Sequence, residues 1–170
     1  VDRLIATLVA PVRWFDGLAS TVQDRMVGAV LALPTGTVLA VAGSLTPDPT
    51  GMGTHRQLGL GGCAMLTATG IPCPMCGMTT TFTWLAHLHL VRGTLNQPFG
   101  LVLFSCTVLA FALGVSDLVL PRGRWRRALA WIDQREGWVA GGLMLGLVAG
   151  WAYKIAISTD WLTHLLSQQP

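Results

Sequence analysis

Of the 170 residues, 52% are hydrophobic and only 11% charged, against about 25% charged in an average soluble domain. That balance excludes a disordered tail and an ordinary soluble enzyme; a chain this short has too little interior to bury so much apolar surface, so lipid is expected to cover much of it. The net charge of +3 comes from eleven Lys and Arg against eight Asp and Glu. Five of these, Arg122, Arg124, Arg126, Arg127 and Arg135, crowd one stretch between two apolar runs. Such a cluster follows the positive-inside bias of a cytoplasmic loop and suits anionic lipid headgroups, with Arg122, Arg124, Arg126 and Arg127 as the contacts; nucleic acid is not expected as a partner.

Residues 1–25 set Leu4, Leu8, Val12, Phe15 and Val22 against Asp2, Arg3, Arg13, Asp16, Asp24 and Arg25 at near-helical spacing, with Pro11 as a kink. This predicts an amphipathic helix on the membrane surface. The stretch lacks the uninterrupted apolar core and small-residue cleavage site of a signal peptide, so the chain is expected to insert by its own spans. Met26 to Pro47 has no Asp, Glu, Lys or Arg, long enough at about 1.5 Å per residue to cross about 30 Å of hydrocarbon. It forms span one, 26–47, and Pro34 inside it is tolerated as a kink. Uncharged runs at Gly93–Ser116 and Gly137–Tyr153 predict spans over 98–120 and 137–158, joined by a cytoplasmic basic loop, 121–136. Trp125, Trp131 and Trp138 at one face and Trp151 and Trp161 at the other fit aromatic belts, and Lys154 is expected to snorkel outward. The fold class is therefore an all-α integral membrane protein with three full spans, an N-terminal surface helix and one further hairpin, all in a single membrane domain.

That hairpin, residues 57–92, carries the informative residues. Gln57 to Val91 contains no Asp, Glu, Lys or Arg, and Pro72-Cys73-Pro74 breaks it into two arms too short to span. It is expected as a re-entrant hairpin or, preferably, as two pieces packed on the outer face. In Cys73-Pro74-Met75-Cys76-Gly77, a Pro at the first helical position would make Cys73 the N-cap and put Cys76 in the first turn, where unpaired N–H groups favour a thiolate. If the helix continues, Cys76, Thr80, Thr83, His87 and Thr94 fall within about 40° of Cys76 on either side, as a polar stripe. Thr80 and Thr83 bonded to backbone carbonyls, and His87 as a satisfied interhelical residue, account for that stripe equally well.

Three explanations are open for Cys73 and Cys76. They can form a structural corner, with or without a disulfide. They can bind a metal, zinc or copper, with further ligands drawn from Cys63, His55, His87, His89, Met75 or Met78; the Met-Cys-Gly-Met run favours Cu(I). They can also carry thiol redox chemistry, Cys63 and Cys106 supplying a second pair, although single cysteines in apolar runs behave more often as small core hydrophobes. His87 and His89, two apart, cannot chelate one ion together on a helix. In the last span Gly142, Gly146 and Gly150 repeat at small-xxx-small spacing, preceded by Gly137 and Gly141. Such a face packs within the chain or docks another subunit or a second copy.

The stretch Gly70-Ile71-Pro72-Cys73-Pro74-Met75-Cys76-Gly77-Met78-Thr79 resembles the signature of an uncharacterised bacterial multi-span membrane-protein family, catalogued as a domain of unknown function, whose hallmark is C-P-x-C-G-x-T-R. The resemblance covers about residues 25–120; Thr80 stands where the family has Arg, and Gln97 splits the family's Asn-Pro pair into Asn96-Gln97-Pro98. It implies a short helix over 78–92, a further span after it, and a motif at the membrane interface. The chain is also weakly similar to quinone-coupled disulfide-forming membrane proteins with four cysteines. The primary expectation is a non-catalytic accessory or scaffold subunit of a larger assembly in the bacterial inner membrane, in which the Cys-Pro-x-Cys motif fixes a hairpin or holds a metal. The alternatives are a membrane thiol–disulfide oxidoreductase with Cys73 and Cys76 as the redox pair, and a copper- or zinc-handling protein.

Overall fold

The computed structural model describes residues 14–158. Most of the expected surface helix, at 1–13, and Trp161 lie outside the described residues; 14–16 form one helical turn. The long helix α1, Ser20–Ser44, then runs unbroken through Pro34. A 3-10 turn at Thr54–Leu58 and helix α2, Ala64–Thr69, follow. Helices α3, Met78–Ala86, and α4, Leu90–Asn96, lead into α5, Pro98–Val119. The short α6, Arg124–Asp133, precedes α7, Glu136–Ser158. There is no strand among the described residues, and three helices, α1, α5 and α7, are long and apolar enough to cross a membrane. Only 17%, 17% and 11% of their most apolar windows is buried within the chain, so most of their surface needs lipid or a partner to cover it.

The chain divides into two compact units, Val1–Gly36 with Val108–Arg135 and Thr37–Thr107 with Glu136–Pro170. In the first, α1 and α5 meet backbone to backbone. A Cβ built on Gly114 would stand 2.6 Å from the Ala32 nitrogen and 2.8 Å from the Gly28 carbonyl oxygen, so only small residues permit the crossing. The expected basic loop is largely helix here, because Trp125, Ala128, Leu129 and Ile132 recur at helical spacing and give α6 an apolar face. Its first turn is capped from another helix: buried Asp117 accepts the Arg124 backbone N–H at 3.3 Å and that of Trp125 at 3.0 Å, with the Arg124 guanidinium 3.6 Å away. Asp24, also buried, accepts the Trp125 indole N–H at 2.9 Å and faces Arg126 at 3.3 Å. Arg124 and Arg126, expected as headgroup contacts, are thus engaged within the protein, whereas Arg122 and Arg127 are exposed.

The second unit holds the cysteine segment. Its first arm holds the 3-10 turn and the six-residue α2, and its second is mostly helix, as a short helical hairpin requires. The expected helix 78–92 is broken at His87–His89, where Leu88 adopts φ 62. The chain turns so that Leu85, 1% exposed, packs where a Cβ on Gly93 would stand 2.7 Å from it. Phe82 and Phe104 meet edge to face at 5.3 Å. On α7, Gly146 and Gly150 are covered from within, a Cβ at either standing 2.7 Å or 2.8 Å from Phe99, while Gly137, Gly141 and Gly142 have nothing within 4 Å among the described residues. The expected three-glycine docking face is therefore split, and its two later members serve a contact inside the chain.

Candidate metal centre

The Cys-Pro-x-Cys segment is not the first turn of a helix. It forms its own turn, closed by the Cys76 N–H on the Cys73 carbonyl at 2.9 Å, and α3 starts only after Gly77, whose φ of 83 makes it the N-cap. Cys73 is consequently no N-cap, and the α3 dipole does not act as the spacing suggested. Three anchors hold the turn. The Trp151 indole donates to the Pro72 carbonyl at 2.7 Å, the Asn96 amide to the Gly77 carbonyl at 3.1 Å, and the buried Gln97 amide reaches the Pro74 carbonyl at 3.4 Å. Asn96 also bonds the Thr81 hydroxyl at 2.9 Å, which ties α3 to α4.

Cys63 comes to this turn from the other arm, as the N-cap of α2. The sulfurs of Cys63, Cys73 and Cys76 all lie within 4.8 Å of one another, and all four cysteines are free thiols. Cys106, exposed on α5, is not in the group. A cavity of about 240 Å³ opens on the three thiols and is lined also by His55, Met75 and Thr80. The two ends of the trio differ electrostatically. The Leu66 backbone N–H and hydrogen bonds from the neighbouring thiols lower the Cys63 thiol from its ordinary 9.0 to about 7. Burial, followed by the bond with Cys63, pushes Cys76 up to about 12, the reverse of the thiolate that a first-turn position would have favoured.

The remaining predicted ligands divide clearly. His55 lines the cavity, and its Nε2 lies 3.1 Å from the Gly61 carbonyl; a carbonyl only accepts, so Nε2 carries the proton and the neutral ring keeps its lone pair on Nδ1. Met75 is on the cavity wall, 54% exposed. His87 bonds the Leu45 carbonyl at 3.2 Å, His89 packs edge to face on Trp84, and Met78 is buried beside Gly100; none of these lines the cavity. The polar stripe resolves into separate bonds: Thr80 to the Thr54 hydroxyl at 2.8 Å, Thr83 to the Thr79 carbonyl at 2.9 Å, and His87 to Leu45. Thr94 lies on α4, past the break.

Lys154 does not snorkel. Only 2% exposed, its ammonium donates to Asn96 Oδ1 at 2.8 Å and lies 3.4 Å from the carbonyl oxygens of Gly51 and Asn96. It presses on the cysteine turn, because a Cβ built on Gly77 would stand 3.0 Å from Nζ and 2.7 Å from the Gly51 carbonyl. Reading an isolated lysine near a span end as snorkelling overlooked Asn96, the side chain that receives it.

Three thiols and an imidazole on one cavity fit a thiophilic ion. In a tetrahedral zinc site the metal–sulfur distance of about 2.3 Å sets sulfurs roughly 3.8 Å apart, so the trio needs only modest closure from its 4.8 Å envelope. The fold and site define an all-helical membrane protein with a three-cysteine cluster. Residues 63–111 match the model of a family described as a protein of unknown function (DUF2752). This agrees with the resemblance to a family of unknown function, over a shorter stretch than 25–120. The matched segment begins at Cys63 and takes in the whole trio, while His55 and Lys154 fall outside it. Neither a curated protein nor a solved structure matches the chain.

Proposed function

We propose that this protein binds one thiophilic transition-metal ion, zinc or cuprous copper, through Cys63, Cys73 and Cys76, with His55 as the fourth ligand. The observation that carries the reading is the convergence of Cys63 with the Cys73–Cys76 turn, the sulfurs of two arms brought within 4.8 Å of one another by different backbone elements. The ion fixes the hairpin between α1 and α5, and the protein serves as a small accessory or scaffold subunit with its basic stretch on the cytoplasmic side of a bacterial inner membrane. The five-arginine cluster supports that sidedness. The sparse burial of the spans and the open Gly137, Gly141 and Gly142 support docking to another subunit or a second copy. Exposed Arg122 and Arg127 suit anionic headgroups. Elemental analysis of protein purified without chelators tests the centre. About one ion per chain is expected, lost in Cys63→Ser and Cys76→Ser and kept in Cys106→Ser; a Cys63→Ser variant that holds metal as the wild type does would refute it.

One observation favours a second reading, thiol–disulfide exchange: a thiol lowered to about 7 stands beside a Cys-x-x-Cys pair. That reading predicts a mixed disulfide trapped in Cys73→Ser, and unaltered thiol oxidation in that variant would eliminate it.

A further inference from the structure

A cavity of about 400 Å³ opens at Ile157, the last residue of the third apolar span, and its size is usual for a small-ligand site. Ile157 and Leu95 give it an apolar wall, Pro49 and Thr50 come from the loop after α1, and Trp84 and Arg92 come from α3 and α4. The Arg92 guanidinium lies over the Trp84 ring, its carbon 5.1 Å from the centroid, and His89 props the same ring edge to face at 5.1 Å. Stacking engages the flat face of a guanidinium and leaves its N–H edge for an anion. Among the described residues Arg92 makes no ion pair or hydrogen bond, and the Trp84 indole N–H has no acceptor. Two free donors, one of them charged, therefore share one cavity. No Asp or Glu lines it. Asp48, two residues before Thr50, is engaged elsewhere: it accepts the Thr50 N–H at 2.9 Å and hydroxyl at 2.6 Å and lies in the field of Arg56.

We infer that this cavity holds the headgroup of one anionic phospholipid, its phosphate on Arg92 and the Trp84 indole and the start of an acyl chain against Leu95 and Ile157. A phosphodiester presents two oxygens to the edge of a guanidinium and accepts from an indole N–H as well. Tryptophan and arginine beside the end of a spanning helix stand at headgroup level. The apolar wall next to that helix gives the acyl chain a surface that a free phosphate would leave uncovered. The lining also discriminates between headgroups. An ammonium would find no carboxylate in the cavity, and the Trp84 ring that could otherwise receive it already faces Arg92. The lipid is therefore one whose headgroup adds no positive charge, of the phosphatidylglycerol type. The inference rests on the membrane character of the chain and not on the proposed metal, and it engages neither Arg122 nor Arg127.

The test uses the full chain in mild detergent, carrying Arg122→Gln and Arg127→Gln so that the basic stretch contributes little. It is titrated with phosphatidylglycerol, with phosphatidylcholine of the same chains and with glycerol phosphate, and bound molecules are counted by native mass spectrometry. About one phosphatidylglycerol per chain is expected, bound about fivefold or more tightly than phosphatidylcholine. Adding Arg92→Gln should weaken it roughly 10- to 100-fold, the loss of a charge-assisted phosphate contact. Trp84→Phe, which keeps a ring and removes the N–H, should cost about three- to tenfold. Folded Arg92→Gln protein that binds phosphatidylglycerol as its parent does would overturn the inference. So would phosphatidylcholine binding as tightly as phosphatidylglycerol, and so would glycerol phosphate matching the lipid, since the site would then serve a soluble phosphoester. Should Arg92→Gln not fold, a phosphatidylglycerol with a photoactivatable acyl chain still decides on the unsubstituted protein. Label on the peptides of α4 and the end of α7 supports the site, and label elsewhere alone overturns it.

Discussion

Metal-free protein should alkylate its clustered cysteines in a fixed order, Cys63 well before Cys76. At pH 7 a thiol of about 7 is half ionised, whereas one of about 12 is ionised in about one molecule per 100,000, a ratio of about 50,000 in thiolate. The more basic thiolate is the better nucleophile; a Brønsted slope of about 0.4–0.5 over the interval returns roughly 100- to 300-fold, leaving Cys63 about 150- to 500-fold faster. The pH dependence has opposite signs at the two ends. Because the fold lowers the Cys63 thiol, the stability it contributes is full above the ordinary 9.0 and is lost as pH falls through about 7. Because the fold raises Cys76, its contribution is full below 9.0 and is lost as pH rises towards about 12. Quenched iodoacetamide labelling of chelator-treated protein, read by peptide mass spectrometry at several pH values, measures both. A Cys76 rate within tenfold of that of Cys63 would refute the electrostatic account of the trio.

Gly146→Leu should destabilise the protein by about 1–3 kcal/mol through overpacking, since its Cβ would already meet the Phe99 ring at 2.7 Å; a cycle with Phe99→Leu in detergent unfolding should show coupling, and strict additivity would sink the contact. Gly77→Ala should cost about 2 kcal/mol or more for a left-handed alanine clashing with a carbonyl and should abolish metal retention, which elemental analysis reads. Asp117→Asn, which replaces the carboxylate that caps α6 by an amide with one acceptor oxygen, should cost about 2 kcal/mol and release the amides of Arg124 and Trp125 to faster hydrogen exchange. Chelation should raise exchange across residues 54–77 while α1, α5 and α7 stay protected, and uniform protection with and without chelator would argue against a metal that fixes the hairpin.

The three spans were legible because apolar runs without charge have one outcome in lipid, and the Cys-Pro-x-Cys turn was legible as chemistry. Its conformation was not: Pro74 at a helix start is a strong local preference, yet Gly77 at φ 83 offered a sharper entry to α3 and won. Cys63 was legible only as one of several candidate ligands beside the more usual reading of a small core hydrophobe, because nothing local in the sequence says that its arm folds back on the Cys73–Cys76 turn. Nothing such as Gly or Pro announces the break at Leu88; it follows from the packing of Leu85 on Gly93, which no local pattern encodes. Gly28 and Gly114 pass unnoticed in sequence because neither belongs to a small-xxx-small repeat of glycines on its helix, and the close contact exists only once the two are opposed. The repeated glycines of α7 drew attention instead, and half of that pattern is spent on Phe99.

What a metal would do for the hairpin, if bound as proposed, follows from what the hairpin lacks. Helices of six, nine and seven residues are too short to persist alone in water, and beside lipid the hydrophobic effect gives them little reason to pack. Beside Leu85 on Gly93 and Phe82 on Phe104, much of what holds them is polar: Thr54 on Thr80, Asn96 on Gly77 and Thr81, Trp151 on Pro72, and Lys154 on Asn96. Most of these bonds converge on residues 72–81; Trp151 reaches it directly from α7, and Lys154 reaches it through Asn96, so the third span helps fix the arm that carries Cys73 and Cys76. The other arm, with Cys63, has the 3-10 turn and α2, and its Thr54 hydroxyl ties it to Thr80 of α3. A metal bridging Cys63 to Cys73 and Cys76 would add a far stronger link between the arms than the Thr54–Thr80 bond, where neither helix length nor apolar burial can supply it.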